Sequence, residues 1–208
     1  MPLSTAGKNR ALDSLSGVAS GSPITHASLH SDIPSDVGSN EISGGTPAYA
    51  RIAIAFAAAS GGTKDKDGTV VTFDVPAATT VTHIGFWTAV TVGTFMGYAP
   101  VNGGSLDGVA TAKDTGDVAT SHAHGLVNTN RVQLMQVAGE ALPAGLLDTV
   151  LYFVVGVTAD TFQLSLTSGG AAVAITGDGE FYFQKIVIEQ FGSQGNLTVN
   201  VAQLNFNG

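Results

Sequence analysis

Glycine occupies 27 of 208 positions, about 13% against an ordinary usage of roughly 7%, and it falls between short runs of Val, Thr, Ala and aromatic residues. That punctuation restricts the chain to many short strands joined by tight turns. In the second half the runs cover residues 109–118, 122–126, 131–138, 149–155, 161–166, 171–175 and 181–188. A repeat of strands every 8 to 12 residues or so is the pattern of a small β-barrel. No fixed internal period, heptad or low-complexity tract competes with that reading.

The first half has a different texture. Ser4 or Thr5 can cap a short helix: residues 8–16 carry helix formers, Leu3, Leu12 and Leu15 with Ala11 approximate an apolar stripe, and Gly17 is the stop. Residues 24–30 alternate in character and read as a strand. Residues 31–47 are then dense in Asp, Asn, Ser, Gly and Pro. Loops of that length are uncommon in compact domains unless they carry function, so this one is a candidate contact surface. Residues 49–58 and 70–75 read as a hairpin around Gly61 to Gly68, and 81–87 and 93–98 as further strands of a β-sandwich with aromatic core residues. Residues 196–206 alternate cleanly as a final strand with no partner in the barrel pattern. The expected fold is therefore all-β: a β-sandwich domain formed by residues 1–103 and 187–208, with a short N-terminal helix and a small β-barrel inserted as residues 104–186.

Charge narrows the function classes. Eight basic against 16 acidic residues leave −8, the wrong sign for nucleic acid or an anionic membrane surface. No run is long enough to span a bilayer, and the start lacks a basic region followed by a hydrophobic one, so neither membrane insertion nor a signal peptide is expected. Zero cysteines exclude disulfides, thiolate metal sites and cysteine nucleophiles.

The motifs that could carry chemistry each have a plainer structural reading. His122 and His124, and His26 and His30 with Asp32 nearby, have strand spacings that could share a face, yet a metal site needs a third ligand converging on each pair, and both pairs read as strand and turn histidines bonded to neighbouring carbonyls. Asp65-Lys-Asp-Gly68 echoes a calcium loop, but Thr63 and Asp74 stand where its first Asp and its Glu belong, so it reads as a turn. Gly177-Asp-Gly179 lacks the third glycine of a dinucleotide fingerprint, and no G-x-S-x-G elbow exists. Glu140, Glu180 and Glu189 are the acids a glycosidase could use, and they read as solvated surface. Trp87, beside Phe86, reads as core rather than as a sugar platform. Asn196-Leu-Thr198 matches a glycosylation sequon without an export signal. No catalytic, cofactor-binding or metal residue is assigned, and no cofactor is expected. A surface rich in Gly, Ser, Thr and Ala and poor in charge suits permanent assembly, because little charged desolvation opposes packing.

Several segments resemble tail fibre or minor tail proteins of bacteriophages. They are Lys8-Asn-Arg-Ala-Leu-Asp-Ser-Leu15, Ala27-Ser-Leu-His-Ser31, Ser39-Asn-Glu-Ile-Ser-Gly-Gly45, Pro47-Ala-Tyr-Ala-Arg51, Asp74-Val-Pro-Ala77, Val81-Thr-His-Ile-Gly-Phe-Trp87 and Phe191-Gly-Ser-Gln-Gly195. The middle part is similar to a small β-barrel module of phage fibre proteins, akin to one inserted in ubiquitin-activating enzymes. The segments His124-Gly-Leu126, Arg131-Val132, Leu142-Pro-Ala-Gly-Leu146, Tyr152-Phe-Val-Val155, Ala159-Asp-Thr-Phe-Gln-Leu164 and Gly169-Gly-Ala-Ala172 carry that likeness. Val127-Asn-Thr-Asn130 departs from it, standing where related modules have a glycine-containing turn.

The resemblance implies a non-enzymatic structural virion protein, in the tail, that acts in assembly and host-surface contact. Its implied partners are other virion proteins, further copies of itself and a host cell-surface glycan, with no nucleic acid. A capsid decoration or head fibre, and a carbohydrate-binding adhesin or depolymerase, are the alternatives. Besides the loop 31–47, the turns 142–145 and 168–170 are the expected contact regions.

Overall fold

The structure is a computed structural model and describes residues 3–16, 23–61, 63–103 and 106–205. The chain divides into two compact units, residues 1–101 with 188–208, and residues 102–187. Almost all regular structure is β.

The first unit opens with α1 (Thr5–Ser16). Ser4 is its cap: its Oγ accepts from the Gly7 N–H at 3.1 Å and donates to the Phe95 carbonyl at 2.7 Å, so one hydroxyl both starts the helix and fastens it. The expected apolar stripe is only partly realised. Leu12 is 64% exposed, and the docking runs through the first turn, where Gly7 approaches the Met96 carbonyl so closely that a Cβ would lie 2.2 Å from its oxygen. The side chain of Leu15, and Gly17, lie outside the described residues. Alanine in place of glycine normally favours a helix by roughly 0.5–1 kcal/mol. Here the sign reverses: Gly7→Ala is expected to lift α1 from the sheet at a cost of about 1–3 kcal/mol, read as faster proteolysis within the first 16 residues.

Seven strands follow: β1 (His26–His30), β2 (Ile52–Ala53), β3 (Thr63–Asp65), β4 (Val71–Val75), β5 (Thr79–Val81), β6 (His83–Trp87) and β7 (Phe95–Pro100). Four of them form an antiparallel sheet in the order β2-β1-β6-β7. In β1 and β6 the pairs Ala27↔Phe86 and Leu29↔Ile84 enter the apolar core, whereas His26↔Trp87, Ser28↔Gly85 and His30↔His83 occupy the opposite face. Period-two alternation puts these two sets on opposite sides.

The second unit contains β8 (Gly108–Lys113), β9 (Val118–Thr120), β10 (Arg131–Gln136), β11 (Leu151–Val155), β12 (Thr161–Ser165) and β13 (Gly179–Ile186). They close into an antiparallel barrel, β10-β11-β12-β9-β8-β13, around Leu134, Tyr152, Val154, Phe162, Phe181 and Phe183. Two expected strands are absent. In residues 122–126, Ala123 and Gly125 take positive φ, and side chains replace the ladder: Asp160 Oδ1 accepts from the Ala123 N–H and His124 Nδ1 from the Leu126 N–H. Residues 171–175 keep a single ladder-like bond, from the Val173 N–H to the Leu164 carbonyl at 2.7 Å.

The chain then forms β14 (Glu189–Phe191), β15 (Gly195–Val199) and β16 (Gln203–Asn205), which pair with β5, β4 and β3 respectively. The hairpin expected between residues 49–58 and 70–75 is therefore not formed. Val71, Phe73 and Val75 take Val199, Leu197 and Gly195 as cross-strand partners, and residues 55–57 bond instead to residues 65–67. Phe73 and Leu197 share one core with the four-stranded sheet, which completes the sandwich. On the outer face of the ribbon Asn196 Nδ2 donates to Asp74 Oδ1 at 2.9 Å and the Thr72 and Thr198 hydroxyls meet at 2.9 Å, so both polar residues of the sequon serve as cross-strand partners.

Candidate functional site

A strand with alternating polar residues normally turns them to water. In β1 and β6 they are buried: Ser28, His30 and His83 have no exposed surface, and Trp87 is 5% exposed. Their burial is possible because each polar atom has a partner. Ser39 O, a carbonyl, only accepts, so His30 carries its proton on Nδ1 and donates to it at 2.7 Å. His30 Nε2 is then an acceptor for the Ser28 hydroxyl at 2.7 Å, and Ser28 Oγ in turn accepts from Trp87 Nε1 at 2.8 Å. The chain of donors runs in one direction, from Trp87 through Ser28 and His30 to residue 39.

A serine bonded to a histidine is also the beginning of a nucleophile–base pair. The surroundings assign this pair another role. The histidine's other nitrogen meets a carbonyl instead of a carboxylate, and Ser28 Oγ is buried with a lone pair already taken by the indole.

The network's output is the shape of the loop 31–47. Besides the Ser39 carbonyl on His30, Asn40 Nδ2 donates to the Ile33 carbonyl at 3.0 Å, with Asn40 itself at φ +61. The Ile42 N–H donates to the Leu29 carbonyl at 3.0 Å, and the Leu29 N–H to Tyr49 Oη at 2.8 Å, so a loop amide and the Tyr49 side chain satisfy β1 beyond the two-residue reach of β2. Gly38, at φ +73, lies against the indole: a Cβ there would be 2.4 Å from Trp87 Cζ2.

Two side-chain clamps complete the fastening. Arg51 Nε and Nη2 form a fork on the Glu41 carboxylate at 2.7–3.1 Å, while the same guanidinium lies 3.3 Å over the Trp87 ring. Gln194 Oε1 accepts from the Thr46 N–H and its Nε2 donates to the Pro47 carbonyl, both at 2.8 Å, gripping the loop's end as a strand would. Tyr49 Oη also donates to Glu41 at 3.3 Å, and burial pushes its phenol well above the usual range.

Burial lowers the His30 pKa below 6.5; the Ser39 carbonyl and Glu41 oppose that shift, and Arg51 adds to it. The unfolded chain therefore takes up a proton near pH 6.5 that the folded chain refuses, and stability is lost as pH falls below that value. The unfolding midpoint reported by Trp87, the one tryptophan of the chain, is expected to fall between neutrality and the carboxylate range. His30→Gln should flatten that slope; an unchanged slope would remove His30 as its cause.

The remaining candidates are dispersed. His122 is exposed and pairs with Asp160 at 2.8 Å; the Ala123 N–H holds the Asp160 carboxyl below its usual range, aided by His122. His124 has both ring nitrogens engaged, with Thr161 O and the Leu126 N–H. His26 bonds the Thr25 hydroxyl, and Asp32 caps the Ile33 N–H. Among the described residues no group of three or more His, Asp or Glu could hold a metal ion. Asp67 Oδ1 accepts from the Thr69 N–H, which makes residues 67–69 a turn at the end of β3. Asp178, between Gly177 and Gly179, receives Lys113 Nζ and the Asp114 N–H. Glu140, Glu180 and Glu189 are exposed on a turn, on β13 and on β14.

In the barrel unit the turn 142–145 is fastened by the bond from the Thr176 N–H to the Ala144 carbonyl, and Gly145, at φ +99, leaves no room for a Cβ beside the Ala174 carbonyl. Gly169, in the turn 168–170, lines a shallow depression of about 240 Å³ with Asn128, Thr129, Val155 and Gly156. Thr129 adopts φ +75 without being glycine, and Asn130 Oδ1 accepts from the Val127 N–H across the turn. That is how Val127-Asn-Thr-Asn130 makes its turn without a glycine, at the cost of a strained threonine.

Ser28, His30, Glu41, Tyr49, Arg51, Trp87 and Gln194, whose side chains make the fastening, all lie within the segments that resemble phage fibre proteins. A family model described as podophage GP4 fiber I protein gp80 matches residues 2–129. The match runs from α1 through the four-stranded sheet and into the barrel as far as β9. Among curated proteins no match is found. With more than half its length matched, the chain belongs to the family of the podophage GP4 fiber I protein gp80 and is a phage structural fibre protein.

Proposed function

We propose that the protein is a non-catalytic component of the virion tail that assembles with further copies of itself and with neighbouring virion proteins through the loop 31–47. The observation that carries this reading is the fixation of a 17-residue loop by His30, Arg51, Tyr49 and Gln194. Ordering a backbone costs roughly 1–2 kcal/mol per residue, and a loop that only connected two strands would not need so many side chains dedicated to its shape. Its outer side presents Val37 at 76% exposure beside Asp36, which accepts from the Thr5 hydroxyl at 2.6 Å. A rigid surface loses little further entropy on docking, which favours permanent contacts.

The absence of cysteine provides the test. Val37→Cys introduces a single thiol at the loop tip. It should react with a maleimide in the free protein, be protected in intact particles, and after labelling and reassembly place an electron-dense tag at the tail. Equal reactivity in free protein and particles, or a tag on the head, would overturn the assignment.

A further inference from the structure

We propose that Asn102 is a spontaneous deamidation site whose conversion unfastens the two ends of the barrel unit. Asn102 and Val187 are the first and last residues of that unit. Asn102 Nδ2 donates to the Val187 carbonyl at 3.0 Å, and Asp107 continues the same seam, bonding through its N–H to the Phe183 carbonyl at 3.0 Å and through its carboxylate to the Lys185 N–H. Asn102 is thus the outermost rung between the segment that enters the barrel and the one that leaves it.

The following residue makes this rung chemically labile. Gly103 has no side chain to hinder attack by its own nitrogen on the neighbouring amide. It takes φ +67, and among the described residues none but its chain neighbours comes within 4 Å of the place a Cβ would occupy. Both residues are exposed. The other asparagines with described neighbours, such as Asn40, Asn128, Asn130 and Asn196, precede Glu41, Thr129, Arg131 and Leu197, whose Cβ atoms obstruct the same approach.

In the reaction a bond forms between the Gly103 nitrogen and Asn102 Cγ, and the nitrogen's proton passes to solvent. The Cγ–Nδ2 bond breaks, and the nitrogen departs as ammonia after taking a proton from water. Water then opens the cyclic imide, at Cγ to leave aspartate or at the main-chain carbonyl to leave isoaspartate. One water is consumed and one ammonia released. The leaving nitrogen is the donor to Val187, so the rung must open for the reaction to proceed. Once converted, the carboxylate has no proton to donate and faces the Val187 carbonyl with like charge, so the rung does not re-form.

The experiment is prolonged incubation of the full-length protein at mildly alkaline pH followed by peptide mapping. The Asn207-Gly208 peptide bond reports whether conditions suffice for reaction. The expected result is complete amide-to-acid conversion at Asn102, as a mixture of both aspartyl isomers, while Asn40, Asn128, Asn130 and Asn196 remain amides. Asn102→Asp should lower the calorimetric midpoint of the barrel unit by roughly 4 °C or more, the shift for one lost hydrogen bond in a domain of this size. Asn102→Gln should keep the wild-type map at every other asparagine and show no conversion at 102. Retention of the Asn102 amide under conditions that convert Asn207, or an Asn102→Asp barrel that melts with the wild type, would overturn the proposal.

Discussion

Replacing Gly85 with alanine should lower the unfolding midpoint reported by Trp87 by roughly 10 °C or more. Gly85 lies opposite Ser28 in the β1–β6 register, and a Cβ there would stand 2.4 Å from His30 Nε2, 2.5 Å from Ser28 Oγ and 2.9 Å from Phe95 Cε2. None of the three can yield cheaply. Ser28 and His30 are fully buried on a central strand, and Phe95 is held between His30 and Trp87 by edge contacts. The methyl group therefore overpacks the site, at about 1–3 kcal/mol, and drives apart a buried donor and acceptor, at about 1–3 kcal/mol more. Sheet propensity alone would predict a small gain from Gly→Ala in a strand. A stabilised or unchanged Gly85→Ala protein, measured by thermal denaturation with tryptophan emission, would show that the Ser28–His30 contact is not the tight bond described.

Arg51→Ala is expected to cost about 2–4 kcal/mol and to shift Trp87 emission to the red. The guanidinium lies between two groups that need it. Side-chain exposures of 13% for Arg51 and 21% for Glu41 leave the carboxylate little water with which to replace three short hydrogen bonds. Breaking such a pair from one side leaves an uncompensated charge in a partly dry site, typically about 3–5 kcal/mol when burial is complete, and residual exposure reduces it here. Removal of the cation also uncovers the indole face, which accounts for the spectral change. Arg51→Lys should rescue only part, since an ammonium cannot form the fork. Adding Glu41→Gln to Arg51→Ala should recover much of the loss, because the orphaned charge is gone. Denaturant melts of the four proteins decide the matter: a double variant no more stable than Arg51→Ala would assign the loss to packing instead of charge.

Much of the fold is legible along the chain because its signals are local. Glycine punctuation and period-two runs mark β1, β4, β6, β7 and most barrel strands, and Ser4 marks the start of α1. Two departures from the local pattern come from partners distant in sequence. The hairpin expected between residues 49–58 and 70–75 assumes that a strand pairs with its neighbour in sequence, whereas β4 takes β15 from beyond residue 190. Residues 122–126 fall at the spacing of the barrel strands, but Asp160, distant in sequence, accepts from the Ala123 N–H and the His124 ring from the Leu126 N–H, so no ladder forms there.

The loop's fastening has no local signal for the same reason. Along the chain His30 reads as a metal candidate and Trp87 as a core aromatic, and nothing in their local pattern indicates that Ser28 links them, that Gly85 makes room for the bond, or that Gln194 grips Thr46 and Pro47 from nearly 150 residues away. Composition and periodicity report which residues are apolar and at what spacing, and that suffices for strand content, the all-β class and the sign of the surface charge. The placement of polar side chains against one another depends on contacts between residues far apart in sequence, which carry no periodic trace. The buried polar face of the sheet is therefore a product of folding: residues that alternate as if for solvent are dry because Trp87, Ser28 and His30 bond to one another, Thr82 to His83, and the loop 31–47 supplies the Ser39 carbonyl that closes the series.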